Sequence, residues 1–378
     1  MSNERQGAPG QVCSRCLMDT TAQGISFNEA GVCSYCREYE ARVGRPPMED
    51  DPATRQRREA FLERVRKSGR GRKYDCVVGV SGGVDSSYAL WQAVQCGLRP
   101  LAVHMDNGWD SELAQSNIEN LVRRLGVDLF THVIDWEEYR GLQRAFLDAD
   151  VLDVELLYDN AMLAVNYQQA SRFGVEFILS GMNQATEGVV IPRNWNWFKN
   201  DKANILGIWK AKGEGRPLKT FPLFGTWDYL YYTYVRRIAW VCFLDFFPYR
   251  KAQALEDLSR ELGFRPYSHK HYESVFTRFY QGFLLPRKFG VDKRKAHFST
   301  LIMSGQMTRE VGWEMLQGSP YQSEKELQED TEFFLKKIGW TRADFEDYLQ
   351  RPERAHDFYP SERKVWDFLA RWKRKLGW

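Results

Sequence analysis

The sequence predicts an α/β fold built on a doubly wound parallel sheet, and three features of the chain support this prediction. Short β-branched or apolar runs alternate with segments of helical spacing from residue 75 to residue 180. The predicted strands end in glycine, serine or acidic residues, at the edge where parallel sheets bind their ligands. Beyond residue 182 the alternation stops, and the rest of the chain has mainly helical spacing.

The elements follow in order along the chain. Strands are predicted at residues 75–81, 101–105, 129–134 and 177–180, and helices at 84–96 and 112–125. Residues 193–224 have no clear period, and we interpret them as a long active-site loop. The C-terminal third is predicted to be helical at residues 228–243, 251–262, 308–316 and 323–338.

The composition predicts an ordinary folded protein and argues against two kinds of partner. Hydrophobic residues make up 43% and charged residues 27% of the 378 residues, which is typical of globular chains. The formal net charge of +3 gives no reason to expect nucleic acid as a partner. Apolar runs fall short of the roughly 20 residues that span a bilayer, and the first residues lack a signal-peptide core. We therefore expect a cytoplasmic protein without membrane insertion.

A serine- and glycine-rich segment joins the first predicted strand to its helix. Its residues are Ser81, Gly82, Gly83, Val84, Asp85, Ser86 and Ser87. Backbone amides at a helix start, glycines that permit close approach, and hydroxyl donors together form an anion cradle. The segment contains no lysine and no Gly-x-Gly-x-x-Gly pattern, so neither a Walker loop nor a dinucleotide loop is present. The alternative is a helix cap that binds no ligand.

This segment resembles the SGGxDS signature of the ATP pyrophosphatase (PP-loop) superfamily, whose loop binds the departing pyrophosphate. The resemblance implies that Asp85 helps hold Mg²⁺ against the phosphates. It also implies that Met105 and Asp106, at the end of the second strand, bind the adenosine, with Gly181 at the end of the fourth. Asp106 alone would also suit a turn. Glu187 is a further carboxylate that would face the metal or ammonia, unless its role is structural.

Four cysteines have the spacing of a zinc ribbon. Cys13 and Cys16 form one Cys-x-x-Cys pair, and Cys33 and Cys36 form the other. Two such pairs supply four thiolates to one tetrahedral ion, which favours structural zinc over a redox pair. A closed site of this kind leaves no open position for catalysis, so we expect the module to serve folding or docking.

Taken together, the motifs resemble the N-acetyl sugar amidotransferase family over residues 13–316. They are the cysteine module, the loop, Asp-Asn-Gly-Trp-Asp-Ser-Glu at 106–112, Gly-Met-Asn-Gln-Ala-Thr-Glu at 181–187, Phe-Gly-Val-Asp-Lys-Arg-Lys-Ala-His at 289–297 and Ser-Gly-Gln-Met-Thr-Arg at 304–309. Members of this family act in bacterial surface-polysaccharide (lipopolysaccharide O-antigen) and flagellin-glycan synthesis. They use ATP to convert a sugar acetamido group into an acetamidino group. The amide oxygen is adenylated, and ammonia then displaces AMP.

The resemblance implies a domain organisation and cofactors. A zinc-binding module is expected at 1–45, a PP-loop ATP pyrophosphatase domain at 60–225, and a mainly helical region for substrate and partner binding at 226–378. The expected cofactors are ATP, Mg²⁺ and structural Zn²⁺, and the expected substrate is a sugar nucleotide.

Cationic residues in the later motifs complete the candidate site. Lys293 and Arg294 are expected to stabilise charge on the transferring phosphoryl group, beside Asp85 and Glu187 as catalytic residues. Asn183, Lys288 and His297 are expected to bind substrate. The alternatives are a solvated charged face for the cations and a structural role for the histidine.

Ammonia needs a source, and a glutaminase centre is absent from the sequence. Such a centre needs a nucleophilic cysteine with a histidine partner or at the mature N-terminus. Cys76 lies in a predicted buried strand, Cys96 at a helix end and Cys242 in a predicted apolar helix, so all three are interpreted as structural. The family resemblance implies that a separate glutaminase and a cyclase-like barrel protein supply ammonia.

Two other classes of protein remain as alternatives. Enzymes that thiolate transfer RNA also join zinc-binding cysteine pairs to this loop, but they need further working cysteines for sulfur. A non-catalytic zinc-ribbon interaction protein would have no use for a complete phosphate-binding loop.

Overall fold

The structure is a computed structural model that describes residues 5–44, 50–267 and 272–375. The side chains of residues 5, 370 and 372–375 are outside this description. The ends of the predicted domains at 1–4, 45 and 376–378, and an internal stretch at 268–271, therefore lie outside the described residues.

A five-stranded parallel sheet forms the centre of the protein. Its strands are β3 (Cys76–Gly79), β4 (Pro100–Asp106), β5 (Leu129–Val133), β6 (Phe177–Ser180) and β7 (Ala239–Cys242). They lie in the order β5-β4-β3-β6-β7, and every neighbouring pair is parallel. A short antiparallel pair, β1 (Arg5–Gln6) and β2 (Ser26–Phe27), belongs to the N-terminal module.

Helices surround the sheet and extend to the C-terminus. In the first half they are α1 (Ser34–Val43), α2 (Pro52–Ser68), α3 (Val84–Gln95), α4 (Glu112–Leu125), α5 (Trp136–Asp148), α6 (Leu156–Phe173), α7 (Gln184–Glu187) and α8 (Lys202–Lys212). In the second half they are α9 (Thr226–Leu230), α10 (Lys251–Leu262), α11 (Val275–Phe279), α12 (Leu285–Phe289), α13 (Arg294–Met303), α14 (Arg309–Gln317), α15 (Glu324–Ile338), α16 (Arg342–Gln350) and α17 (Arg363–Lys375). Short 3₁₀ or π turns lie at Tyr231–Val235, Phe243–Phe246, Tyr280–Leu284 and His356–Phe358.

The two faces of the sheet bury two separate cores. Val77 and Val103 point into one core with α5, α6, α8 and the C-terminal helices α11, α15 and α16. Val78 and Ala102 point into the other core with α2, α3, α4 and α10. Because side chains alternate along a strand, burial on both faces requires helices on both sides of the sheet. The predicted doubly wound fold with a helical C-terminal region is therefore confirmed.

The prediction of a helix at residues 228–243 is wrong in its second half. Residues 239–242 form β7, which pairs in register with β6 from Phe177 opposite Ala239 to Ser180 opposite Cys242. Arg237 has a φ of 57°, and this left-handed conformation ends the preceding helical turn. A short apolar run does not distinguish strand from helix, and pairing with β6 decides the outcome here.

Three further features differ from the sequence interpretation or extend it. The region 193–224, interpreted as a loop, contains the helix α8. The sheet also continues past residue 225, the predicted end of the ATP-binding domain, because β7 begins at Ala239. Within the described residues, no helix is long and apolar enough to cross a membrane.

Candidate active site

The strand order creates one crevice at the carboxyl edge of the sheet. β3 is central, with β4 on one side and β6 on the other, so the connections leave it in opposite directions. Open α/β sheets bind their ligands where the strand order reverses in this way. The loops after β3 and β6 flank the reversal, and they carry the predicted segments 81–87 and 181–187.

These two loops touch each other. A Cβ atom on Gly181 would lie 2.6 Å from both the carbonyl carbon of Asp85 and the backbone nitrogen of Ser86. Only glycine allows this approach, because such separations are far below van der Waals contact. The structure thus brings Gly181 against the phosphate-loop candidate, as the predicted site requires.

The loop is fixed by its own polar groups. Gly82 has a φ of +80°, and a Cβ atom there would lie 2.9 Å from the carbonyl oxygen of Ala114. The hydroxyl of Ser86 accepts a hydrogen bond from the Ser81 amide at 3.2 Å and donates one to the Gly83 carbonyl at 3.2 Å. Gly83 is the N-cap of α3, so the first amides of that helix lack helical partners and are available to an anion.

Two loop residues support the cradle from the inside. Val84 packs against the core that α3 shares with the sheet. Ser87 is fully buried, and its hydroxyl has no hydrogen-bond partner among the described residues. The side chains of Val84 and Ser87 therefore stabilise the loop by packing and do not face a ligand. The hydroxyls of Ser81 and Ser86 instead lie 3.2 Å from each other within the loop.

Asp85 is held between a phenol and an ammonium group. The Tyr249 hydroxyl donates a hydrogen bond to Oδ1 of Asp85, and Nζ of Lys251 lies 3.8 Å from Oδ2. Burial raises the pKa of Tyr249 well above its usual value, and the charge of Asp85 raises it further. Tyr249 therefore remains protonated and donates. The side chain of Lys251 is 29% exposed, so its ammonium group also faces solvent at the crevice.

Glu187 approaches the same phenol from the other loop. Its charge contributes to the raised pKa of Tyr249, after burial and Asp85, and to that of Cys242. Glu187 is exposed at the end of α7. The charges of Asp85 and Glu187, which the sequence predicts as two catalytic carboxylates, therefore both act on Tyr249.

The loop after β4 forms a further part of the crevice. The side chain of Met105 is buried in the core, so only its backbone is available at the edge. Asp106 accepts a hydrogen bond from the Gly108 amide at 2.8 Å, which is the turn contact named as its alternative role. The second Asp106 oxygen is not used in that turn.

The C-terminal region holds this loop on its outer side. The Ser111 amide donates to the Glu273 carbonyl at 2.9 Å, and the Val275 amide donates to the Trp109 carbonyl at 3.0 Å. Nζ of Lys337 donates to the Gly108 carbonyl at 2.7 Å. This ammonium group also lies 3.6 Å from the centre of the Trp136 ring, a cation–π contact.

Glu273 also reaches the phosphate-loop candidate. One of its carboxylate oxygens lies 3.6 Å from the position that a Cβ atom on Gly83 would occupy. A carboxylate at this distance from the loop adds negative charge beside Asp85. Glu273 lies outside the sequence motifs that predict the site.

A buried histidine in β4, His104, connects the end of β3 to the loop after β4. Nδ1 of His104 lies 2.9 Å from the Val80 carbonyl, and Nε2 lies 2.9 Å from Oδ2 of Asp110. Burial alone would lower the pKa of His104, but the hydrogen bond to Asp110, the charge of Asp110 and the hydrogen bond to Val80 together outweigh burial, and the pKa is raised. Both partners are acceptors, so both ring nitrogens donate only in the imidazolium form.

The four module cysteines form a compact cluster. Cys13 Sγ lies 3.9 Å from Cys36 Sγ, Cys16 Sγ lies 3.7 Å from Cys33 Sγ, and all four sulfurs are within 4.8 Å of one another. Zinc–sulfur bonds of about 2.3 Å at tetrahedral angles separate sulfurs by about 3.8 Å. The cluster thus fits the predicted structural zinc site, and all four side chains are fully buried.

Lys288 has a structural role, because its ammonium group is bound by other parts of the protein. Its Nζ donates to the Tyr348 carbonyl, donates to the Arg351 carbonyl at 2.9 Å and pairs with Asp150 at 3.1 Å. The side chain is 1% exposed. Three acceptors use the three protons of an ammonium group, so Lys288 has no donor left for the predicted contact with substrate.

The other predicted cations also have protein partners. Lys293 pairs with Glu155 at 2.6 Å. Arg294 pairs with Asp292 and donates to the Met315, Leu316 and Gly318 carbonyls, so it closes the end of α14. Among the described residues, neither side chain forms a hydrogen bond or an ion pair with the loop at 81–87.

His297 and Asn183 lie at the loop after β6. Nδ1 of His297 lies 3.3 Å from the Thr186 carbonyl. The side-chain oxygen of Asn183 accepts from the Thr186 amide at 2.8 Å, and its amide donates to the Gly181 carbonyl at 3.1 Å. Asn183 is buried and caps α7, so it shapes the loop that was predicted to contact substrate.

Tyr249, Lys251 and Glu273 were not predicted from the sequence. The first two follow β7 at the carboxyl edge, and recognising β7 as a strand would have pointed to them. His104 and Asp110 were missed because a polar residue inside an apolar strand gives no sign of its partner. Glu273 reaches the loop only through tertiary structure.

One family model matches part of this chain. It is described as "LPS biosynthesis protein WbpG-like, C-terminal domain", and it matches residues 273–373. Residues 273–373 are thus similar to this domain, and we refer to them as the WbpG-like domain. This agrees with the resemblance to surface-polysaccharide enzymes that the motifs indicate.

Other comparisons are weaker. An NH3-dependent NAD synthetase from Campylobacter jejuni is 12% identical, with a TM-score of 0.28 over 42% of this chain and 72% of that chain. An NMN synthetase from Francisella tularensis is 14% identical, with a TM-score of 0.25 over 50% of this chain and 73% of that chain. These scores are too low to support an inference about this protein. A search of curated proteins finds no significant match.

The WbpG-like domain contributes directly to the crevice. Its first residues, from Glu273 to Val275, contact the loop after β4, and Glu273 reaches Gly83. His297 contacts the loop after β6 from the same domain. The crevice is therefore bordered by the sheet on one side and by the WbpG-like domain on the other.

Proposed function

We propose that this protein is an ATP-dependent amidotransferase of lipopolysaccharide O-antigen biosynthesis. It adenylates the acetamido oxygen of a nucleotide-linked N-acetyl sugar, and ammonia then replaces that oxygen to form an acetamidino group. The observation that carries the proposal is the pairing of an anion-binding loop with Asp85, Tyr249 and Glu187 at the strand reversal. A WbpG-like lipopolysaccharide-biosynthesis domain borders the same crevice.

The residues present fit ATP and Mg²⁺. Backbone amides at the start of α3 and the hydroxyls of Ser81 and Ser86 suit phosphate oxygens. Asp85 supplies carboxylate oxygens, which Mg²⁺ prefers as ligands. The bound ion would neutralise charge on the phosphates. Lys251, 3.8 Å from Asp85, takes the cationic role that the sequence analysis gave to Lys293 and Arg294.

The first step joins the amide oxygen to the α-phosphorus of ATP. The oxygen–phosphorus bond forms while the bond to pyrophosphate breaks, and pyrophosphate carries away the electron pair. This converts a poor leaving group into AMP. The loop amides and Lys251 are positioned to stabilise negative charge as it develops on the phosphates, which is the main way proteins catalyse phosphoryl-type transfers.

The second step replaces AMP with nitrogen. Ammonia adds to the activated carbon, loses a proton, and the carbon–oxygen bond breaks to release AMP and leave the amidine. A base near the carbon must accept that proton. We assign this role to Glu187, because it is exposed at the end of α7, in the loop after β6 that borders the crevice, and its charge acts on Tyr249.

The acceptor sugar is proposed to lie beside a group of ion pairs that connects residues 153–199 with the WbpG-like domain. Lys199 pairs with Asp153 at 2.7 Å and Asp159 at 2.8 Å, and Lys293 of the WbpG-like domain pairs with Glu155 at 2.6 Å. Carboxylates and ammonium groups arranged in pairs can bind sugar hydroxyls as both acceptors and donors. Lys293 is thus proposed to contact substrate instead of the phosphoryl group, whereas Lys288 and Arg294 are given no such role.

Ammonia is proposed to come from a separate glutaminase with a cyclase-like barrel partner. Cys76 is fully buried in β3, and Cys96 caps the end of α3. Cys242 lies at the end of β7 beside Ser180, and burial raises its pKa to about 11. A thiol with a raised pKa is a weak nucleophile near neutral pH, so none of the three supports a glutaminase centre.

The position of Cys242 keeps one second candidate open to test. A transfer RNA thiolating enzyme would use a cysteine at this edge of the sheet to carry sulfur. The raised pKa of Cys242 argues against that role, as does the net charge of +3.

An experiment with the purified chain separates the two candidates. With ATP, Mg²⁺ and N-acetyl sugar nucleotides, we expect amidine formation with high ammonium and none with glutamine alone. Adding the glutaminase and barrel proteins should restore the use of glutamine. Cys242→Ser should retain activity. Turnover with glutamine by the isolated chain would refute a separate nitrogen source, and cysteine-dependent incorporation of sulfur into RNA would establish the thiolating alternative.

A further inference from the structure

The short segment that carries Glu187 is held by the cysteine module. We call residues 184–189 the carboxylate segment. Nη1 of Arg42, in α1 of the module, donates to the side-chain oxygen of Gln184 at 2.9 Å, and Nη2 donates to the Gly188 carbonyl. One guanidinium group therefore bonds to both sides of Glu187, because Gln184 and Gly188 flank it in the chain.

A second residue of α1 closes this contact. The Tyr39 hydroxyl donates to the Gln184 carbonyl at 3.3 Å. A Cβ atom on Gly188 would lie 2.4 Å from the ring of Tyr39, so the backbone of Gly188 rests directly against the ring. Tyr39 is 1% exposed and belongs to the same apolar cluster as the four cysteines.

The far side of the carboxylate segment is held by α13 and the turn after it. The Val189 amide donates to Oγ1 of Thr300 at 3.0 Å, and Nε2 of Gln306 donates to the Ala185 carbonyl at 3.0 Å. The Gln184 amide donates to Asp245 at 2.7 Å. The segment is thus fixed on several sides, and α1 supplies the side that depends on the cysteine module.

The module itself is attached to the WbpG-like domain. The Leu17 amide donates to Oγ of Ser299 at 3.0 Å. Arg309 donates to the Cys13 carbonyl at 3.0 Å and to the Cys16 carbonyl at 3.3 Å. The backbone carbonyls of two of the four predicted zinc ligands, Cys13 and Cys16, therefore attach the module to the WbpG-like domain. A third predicted ligand, Cys33, directly precedes α1.

We propose that Arg42 is a positioning residue that aims Glu187 at the reacting carbon during nitrogen transfer. The cysteine module would then set the geometry of the second step of the reaction, beyond its expected part in folding or docking. This inference rests on the proposed function, because Glu187 is assigned there as the base that accepts a proton from ammonia.

The role of Arg42 predicts a specific kinetic defect. Without the guanidinium group, adenylation at the loop proceeds, but ammonia is captured less well and water competes for the adenylate. Water attack restores the amide and releases AMP. The ratio of amidine formed to pyrophosphate released should therefore fall, while the affinity for ATP remains that of the wild type.

The test compares Arg42→Ala with two other variants of the full chain. We expect Arg42→Ala to lower amidine formation by about tenfold to a hundredfold, the scale of a small misplacement of a reacting group. Arg42→Lys, which retains one donor, should recover part of that loss. Arg15→Ala is the matched control, because Arg15 belongs to the same module but, among the described residues, its side chain pairs with the exposed Glu40 and not with the carboxylate segment.

A double variant separates positioning from general damage. Because Arg42 acts through Glu187, the Arg42→Ala change should add little to the defect of Glu187→Gln. All variants should retain wild-type zinc content and ATP affinity. Arg42→Ala with an unchanged ratio of amidine to pyrophosphate, or a fully additive double variant, would overturn the inference. A wild-type protein that makes no amidine would instead refute the proposed function itself.

Discussion

The Tyr249 hydroxyl donates a hydrogen bond to the Asp85 carboxylate and thereby joins the segment after the last strand to the loop after the first strand of the sheet. Asp85 is the one carboxylate in the loop sequence at 81–87. The orientation of this carboxylate therefore depends on a residue 164 positions away in the chain.

Tyr249→Phe should weaken the loop without disturbing the fold. The ring stays in place, but Asp85 loses a donor, and a hydrogen bond to a charged group is worth about 1.5–3 kcal/mol. We expect substrate-dependent pyrophosphate release to fall roughly tenfold to a hundredfold at limiting Mg²⁺. Tyr359→Phe is the control, because the buried Tyr359 hydroxyl has no partner among the described residues. Wild-type release by Tyr249→Phe would contradict this account of Asp85.

Lys251→Met should remove the cation that faces the phosphates. Loss of one preorganised charge-stabilising donor typically lowers kcat by about a hundredfold to a thousandfold, and we expect pyrophosphate release to fall on that scale. Lys325→Met, on an 84% exposed side chain of α15, is the control and should have wild-type activity. An active Lys251→Met together with an inactive Arg294→Met would return the phosphoryl role to the cations first predicted from the sequence.

Local sequence was sufficient for the part of the site that lies within one strand–loop–helix unit. The loop at 81–87 follows β3 and opens α3 as expected, because its glycines and serines satisfy local backbone needs. The cysteine cluster was equally predictable, because four thiols at this spacing suit one tetrahedral ion. Gly181 was placed correctly at a strand end, although its contact with Asp85 is a tertiary feature.

The parts that were missed depend on long-range pairing. Residues 239–242 have no local preference strong enough to separate strand from helix, and only pairing with β6 makes them β7. Tyr249 and Lys251 were missed with that strand. Lys288 looked available in the sequence, but the carbonyls of Tyr348 and Arg351 and the carboxylate of Asp150 use its three donors.

The cysteine module should contain one tightly bound zinc ion. Four buried thiolates with tetrahedral spacing predict one equivalent per chain, and its removal by chelators should loosen the module, since metal binding and local folding are coupled. Metal analysis and limited proteolysis measure both effects. Cys16→Ser should lose zinc, whereas Cys96→Ser should keep it. One equivalent of iron, or protein that lacks any metal, would overturn the assignment.

His104 should make stability depend on pH. Its folded-state pKa is raised by Asp110 above the unfolded value despite burial, so its contribution is complete at low pH and is lost as pH rises through the folded pKa. Relative to His104→Gln, the wild-type free energy of unfolding should therefore decline as the pH rises from the ordinary histidine pKa of about 6.5 into the alkaline range. Denaturant unfolding at several pH values measures this. A difference that stays constant over that range would show that His104 is not held as an imidazolium.

The most direct measurement of the central claim follows the acetamido oxygen itself. An N-acetyl sugar nucleotide labelled with a heavy isotope at that oxygen is incubated with the protein, ATP, Mg²⁺ and ammonium, and the products are analysed by mass spectrometry. If the oxygen is adenylated and then displaced by ammonia, the label appears in AMP, and unlabelled amidine and pyrophosphate form in equal amounts. Label that remains on the sugar, or that appears in pyrophosphate or inorganic phosphate, would contradict the mechanism.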